Sequence, residues 1–192
     1  MLSHLRPAIV SMGLFTVLLG LAYPLAVTGV AQAAFPAQAN GSLLRDAKGA
    51  IVGSALIGQP FAKAEYLHPR PSAAGNGYDA SASSGSNMGP LNDKLIAREK
   101  EEANALRAEN PGAAIPADAV TTSASGLDPD ISPAYARFQA KRIAKARGAP
   151  EAAVLAVVDS QVLPPLLGFI GQPRVNVLAV NRALDARFPK GG

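Results

Sequence analysis

Between Arg6 and Arg45 the chain carries no charged side chain, and that gap constrains the fold more than any other feature of the sequence. Within it, residues 8–30 are apolar all round, with no stripe suited to water. At roughly 1.5 Å per helical residue, such a run covers the roughly 30 Å hydrocarbon layer of a bilayer. The transmembrane reading follows. Pro24 is tolerable in lipid because neighbouring helices or Thr hydroxyls can satisfy the carbonyl it frees. Gly13, Gly20 and Gly29 would let a partner helix approach closely, although they form no strict small-xxx-small pair. A cleaved secretory signal is the competing reading, since Ala31-Gln32-Ala33 precedes Ala34 and the start is short and basic, with His4 and Arg6. The run is far longer than the roughly 7–15 residue core of such signals, and longer than a soluble core helix sustains without a polar stripe. The expected layout is a short tail (1–7), a transmembrane helix (8–34) and one soluble α+β domain (35–192). Arg6 beside the membrane places the amino terminus in the cytoplasm and the domain outside.

Composition removes several kinds of chemistry. The chain has no Cys and only 2 His, which excludes disulfides, thiolate zinc, iron–sulfur clusters and multi-His metal sites. A net charge of +4 without interleaved exposed aromatics gives no case for nucleic acid. No metal is expected to be held by this chain alone.

Local signals divide the remainder. Leu43-Leu44-Arg45 and Ala50-Ile51-Val52, joined through Asp46-Ala47-Lys48-Gly49, predict a hairpin, and the second strand is expected to continue to Ile57. From His68 to Pro90 neither helical nor strand periodicity survives, so this is a long loop. Helices are expected from Leu91 to Asn110-Pro111-Gly112, over 132–148 with Pro133 in the first turn, over 151–162, and over 176–188 with Val177, Val180, Leu184 and Phe188 on one face. The fold class is thus an α+β soluble domain tethered by one N-terminal transmembrane helix.

Motifs for chemistry are sparse. No phosphate-binding loop, zinc-protease helix or nucleophile elbow is present, and Gly75-Asn76-Gly77-Tyr78-Asp79-Ala80 follows Pro69 and Pro71 rather than a strand. His68, alone in the soluble part, has no nearby acid in sequence and reads as structural. Asp128-Pro129-Asp130 reads as a turn and helix entry. Arg137, Lys141, Arg142, Lys145 and Arg147 form the densest basic cluster; it either complements the helix dipole or offers an anion surface, nucleotide phosphate included. The hydroxyl-rich loop 81–90 is either a surface connection or a backbone cradle for a weakly held ion. A single helix cannot line an ion pathway, so any transport role is accessory to other membrane subunits.

Five blocks taken together resemble the C-subunit family of the bacterial high-affinity, ATP-driven potassium uptake complex. They are Tyr23-Pro24-Leu25 with Phe35-Pro36 and Ala39-Asn40-Gly41-Ser42-Leu43; Gly53-Ser54-Ala55-Leu56-Ile57-Gly58-Gln59 with Arg70-Pro71-Ser72-Ala73; Ser84-Gly85-Ser86-Asn87; Ser125-Gly126-Leu127-Asp128 with Gln139; and Gly171-Gln172-Pro173-Arg174-Val175-Asn176-Val177-Leu178 with Asn181. The resemblance implies a non-catalytic subunit of the bacterial inner membrane, assembled with a potassium-channel-like subunit and a P-type ATPase subunit. It further implies that the chain stabilises the complex and acts as a catalytic chaperone promoting ATP binding by the pump subunit. The ATP expectation falls on Ser125, Gly126, Asp128 and Gln139, with Arg142 of the adjacent basic cluster suited to phosphate. A domain outside the cytoplasm cannot meet cytosolic ATP, and covering the potassium entrance is the simpler role. The alternative function is an extracytoplasmic binding protein released after Ala33.

Overall fold

The computed structural model describes residues 2–189. The chain forms two compact units, one up to Val52 and one from Gly53 onward.

The first unit is dominated by a continuous helix, Leu5–Ala34. It comprises α1 (Leu5–Val17), a π-helical stretch (Leu18–Ala22) and α2 (Tyr23–Ala34), none with a buried residue. The wide turn has an identifiable cause. Pro24 has no N–H to return to the Gly20 carbonyl, and its ring would press on that carbonyl in a regular α-turn. Widening the preceding turn, so that the Tyr23 N–H donates to the Leu18 carbonyl, relieves the clash without ending the helix. The helix is long and apolar enough to cross a membrane, and it starts at Leu5, three residues before the run marked by composition. A one-turn helix α3 (Pro36–Ala39) leads to strands β1 (Leu43–Arg45) and β2 (Ile51–Ser54). Their turn is built by Asp46, whose Oδ1 accepts from the Lys48 and Ala50 amides, both at 2.9 Å. Gly49 supplies the left-handed residue at φ 83°. The strand does not continue to Ile57: the Ser54 hydroxyl accepts from the Leu56 amide at 3.1 Å and turns the chain.

The second unit is mixed helix and sheet, as the sequence suggested. Ala55 to Asn92 contains no helix or strand. Helix α4 (Asp93–Glu109) follows, capped by the Asn92 side chain on the Lys94 amide and lacking any buried residue. Strand β3 (Asp130–Ile131) leads into α5 (Pro133–Phe138) and α6 (Ala140–Arg147). The expected single helix over this span is interrupted at Gln139. Ser132 caps it, accepting from the Tyr135 amide at 3.0 Å, and Gly148 ends it in the left-handed conformation at φ 62°. Helix α7 (Glu151–Ser160) stops two residues short of the expected Val162 because that residue opens strand β4 (Val162–Leu163). Strand β5 (Arg174–Asn176) runs into α8 (Val177–Arg187), whose first turn is capped by Asn176. The sheet is antiparallel in the order β3-β5-β4, with Val175 opposite both Ile131 and Val162.

The core lies where α5–α8 meet this sheet: Ile143, Val154, Val158, Val175, Val180 and Leu184 are fully buried. Each such side chain contributes roughly 1.5–3 kcal/mol on leaving water.

Candidate functional site

Residues 63–72 form an irregular strap across the helical core, and the strap explains where the predicted site residues went. Where a segment without secondary structure becomes buried, as at Leu67, its backbone groups must find partners elsewhere. Here side chains supply them. Leu67 is fully buried; its N–H donates to Asn181 Oδ1 at 2.7 Å, and its carbonyl accepts from Asn181 Nδ2 at 3.0 Å. The next residue repeats the device. The His68 N–H donates to Gln139 Oε1 at 2.8 Å, and Gln139 Nε2 donates to the His68 carbonyl at 3.0 Å. Two buried amides, Gln139 at 1% exposure and Asn181 at 2%, thus imitate a neighbouring β-strand.

Arginines complete the grip at the amino-terminal end of the strap. Arg142 donates to the carbonyls of Ala64 and Tyr66, to Gln139 Oε1 at 2.6 Å, and to Glu109 Oε1 at 2.9 Å. Arg147, with its side chain 3% exposed, donates to the carbonyls of Glu65 and Phe188 and to Asp185 Oδ1 at 2.8 Å. Its guanidinium also lies 5.2 Å from the centre of the Tyr66 ring, in cation–π range. The carboxyl-terminal end is held from the loop before β3. Arg70 pairs with Asp128 at 3.3 Å and donates to the carbonyl of Thr122. The Ser72 hydroxyl donates to the Gly126 carbonyl at 2.6 Å, and the Tyr78 hydroxyl donates to the Arg70 carbonyl. Gly126, at φ 67°, is packed so closely that a Cβ would lie 2.7 Å from both the Ala74 nitrogen and the Ser84 oxygen. Ser125 is exposed; its carbonyl accepts from the Ser84 amide at 3.0 Å, which pins the long loop.

The five residues singled out from sequence therefore fall into two groups joined by the strap. Gln139 and Arg142 hold its amino-terminal half, while Gly126 and Asp128 hold Arg70 and Ser72, with Ser125 beside them. Gln139 has both ends of its amide engaged by protein groups, as does the Arg142 guanidinium. Asn181, quoted from sequence only within the resemblance, and Arg147, read from sequence only as a member of the basic cluster, complete the grip. The available signal was an amide, Asn181, placed among apolar residues on α8.

Titration behaviour follows from burial. His68 is pushed below its ordinary value, first by burial and then by the Arg142 charge, against the opposing pull of the Lys63 carbonyl, which its ring meets at 3.0 Å, and of the Glu109 charge. Burial raises Glu102 and Asp130 and pushes the Tyr135 hydroxyl up to about 12. Three hollows adjoin the strap network. One of about 460 Å³ lies between Phe61, His68, Tyr78 and helix α4. A second, of about 430 Å³, is lined by Asp118, Asp128, Asp130, Arg70 and Arg174. The third, of about 520 Å³, is bordered by Glu109, Lys141, Arg142 and Lys145. Among the described residues no three His, Asp or Glu side chains are grouped to hold a metal ion.

Similarity to other proteins extends over the whole of this framework. A family model described as K+-transporting ATPase, c chain, matches residues 5–186. The potassium-transporting ATPase KdpC subunit of Caulobacter sp. (strain K31) is 81% identical over 192 residues, covering 100% of this chain and 98% of the relative. That of Caulobacter vibrioides (strain NA1000 / CB15N) is 82% identical over 189 residues, covering 98% and 96%. That of Beijerinckia indica is 63% identical over 191 residues, again covering 98% and 96%. With both the long apolar helix and every strap-holding residue inside the matched span, the chain belongs to the KdpC family, the c chain of K+-transporting ATPases.

Proposed function

We propose that this chain is a non-catalytic accessory subunit of a K+-transporting P-type ATPase, held in the bacterial inner membrane by the uncleaved helix Leu5–Ala34. In this reading its partners are the bilayer, a potassium-channel-like subunit and a P-type ATPase subunit. It stabilises their assembly and acts as a catalytic chaperone that promotes ATP binding by the pump subunit.

The strap carries the reading. Its amides and guanidinium groups are engaged in fixing one backbone segment, which suits a rigid docking part. Acid–base catalysis instead requires a group positioned to exchange protons with a substrate, and the His68 ring meets a backbone carbonyl. Ion passage belongs to the partner subunits, because one helix saturates its own backbone and encloses no path. With the amino terminus in the cytoplasm, the domain lies on the outer side. Its effect on ATP binding is then transmitted through the assembled complex.

A second reading, direct nucleotide contact, is favoured by the basic hollow at Lys141, Arg142 and Lys145. There a phosphate would replace the Glu109 carboxylate on Arg142, one anion for another. Gln139 would hold the strap beside it, Gly126 and Asp128 would hold the strap's far half, and Ser125 would pin the adjoining loop.

Protease added to sealed vesicles separates the two. Cleavage of the domain in right-side-out vesicles alone supports transmission through the assembly; cleavage in inside-out vesicles alone supports direct contact. The chaperone role itself is tested by the KM for ATP of the complex prepared with and without this chain. A raised KM without it is expected, and an unchanged KM contradicts the role.

A further inference from the structure

The loop joining β4 to β5 behaves unlike the rest of the domain surface. No charged residue lies between Asp159 and Arg174. Both flanking charges are already paired, Asp159 with Arg137 at 2.8 Å and Arg174 with Asp130 at 3.0 Å. Within the loop, Leu166, Leu167 and Phe169 are 65%, 75% and 77% exposed. The tip is nevertheless an ordered turn. The Leu166 N–H donates to the Ile170 carbonyl at 3.0 Å, and the Ile170 N–H returns to the Leu166 carbonyl at 2.9 Å. Leu167 sits at φ 55°, in the left-handed region that costs a non-glycine residue stability. Single exposed apolar residues need no explanation; a strained, uncharged turn that presents several together does.

Reach and charge identify what covers it. The apolar helix ends at Ala34 and the domain begins at Gly53. Residues 35–52 span at most about 60 Å even when fully extended. Gly53, where the domain begins, is therefore held within that distance of the end of the helix, and a weak affinity of the domain for lipid is multiplied by effective concentration. Protein interfaces surround their apolar core with a polar rim that supplies hydrogen bonds and charge complementarity, and the loop 164–173 offers one polar side chain, Gln172. Attraction to acyl chains needs none.

We propose that the 164–173 turn is a lipid-docking element that seats Leu166, Leu167 and Phe169 in the headgroup–acyl boundary of the leaflet facing the domain. The proposal rests on the anchor reading, and its test keeps the two apart. The chain has no Trp, so single substitutions create clean reporters in the full-length protein. Phe169→Trp, the anchor reporter Phe15→Trp and the exposed domain control Leu91→Trp are each reconstituted into phosphatidylethanolamine–phosphatidylglycerol vesicles with brominated acyl chains. The docking turn predicts that F15W and F169W are both quenched, with F169W emission blue-shifted and quenched about threefold more than L91W. Quenching of F15W with F169W no more affected than L91W overturns the docking and leaves the anchor standing. An unquenched F15W overturns both. In the assembled complex, a photo-crosslinking phenylalanine analogue at position 169 is expected to yield lipid adducts. Adducts to another subunit in their place would mean a protein occupant and overturn the proposal.

Discussion

The helix Leu5–Ala34 and the strap at residues 63–72 face the same demand and meet it by opposite means. Both must satisfy backbone N–H and C=O groups withdrawn from water, the helix in the bilayer in which we place it and the strap where it buries Leu67 against the domain core. The helix does so internally, so its side chains need supply no backbone partner and its one irregularity, the π-helical stretch before Pro24, stays helical. The strap has no internal ladder. It borrows Gln139, Asn181, Arg142 and Arg147 from helices far away in sequence. Polarity should therefore be dispensable in one region and indispensable in the other.

The largest effect is expected at Gln139. Q139L keeps the volume but orphans the His68 N–H and carbonyl and one Arg142 contact, costing about 4 kcal/mol at roughly 1–3 kcal/mol for each buried group left unpaired. Urea unfolding of the full chain, followed by Tyr fluorescence, measures it. A loss below about 1 kcal/mol would mean that the amide grip is incidental. The mirror experiment places charge in the helix. L19R should cost about 3 kcal/mol of membrane insertion, seen as loss of the carbonate-resistant fraction, since Leu19 lies near the middle of the span.

Gly126→Ala tests the far end of the strap. Its Cβ meets two backbone atoms at 2.7 Å with φ at 67°, so about 2 kcal/mol should be lost in the same urea titration.

A smaller effect is expected from pH. Burial and Arg142 hold the His68 pKa below its unfolded value of 6.5, so the unfolded chain binds the proton more readily. Stability is then complete above the unfolded value and falls as pH drops through it toward the folded one. Glu102 and Asp130, raised by burial, act with the opposite sign but in the lower carboxylate range. Unfolding free energy should fall between about pH 7.5 and 5.5, and H68Q should flatten that slope. The smallest effect closes the comparison: T28V removes a hydroxyl from the helix and should change insertion by less than about 0.5 kcal/mol.

The two regions also differ in how far the sequence discloses them. The helix was legible because its signal is local, a long uncharged run. The helix ends at Ser132, Gly148 and Asn176 were legible for the same reason, since the caps that set them each act within one turn. The break at Gln139 was not, because it serves a residue 71 positions earlier. The extension of β2 to Ile57 failed on a single side chain: an apolar run reads as strand until a hydroxyl, here that of Ser54, turns the backbone. Of the candidate site, the residue types were found and their grouping was not. Gly126, Asp128, Gln139 and Arg142 share a strap, with Ser125 holding the long loop beside it, through contacts that no local pattern encodes.

In the proposed role, a helix retained in lipid delivers a folded domain to a larger transporter. Co-expression of the tagged partner subunits with either the full chain or a chain lacking residues 2–34 tests it most directly. The full chain should co-purify with them, and the shortened chain should stay folded, by its urea transition, yet be absent from the complex. Recovery of the shortened chain in the complex at the level of the full chain would contradict the claim.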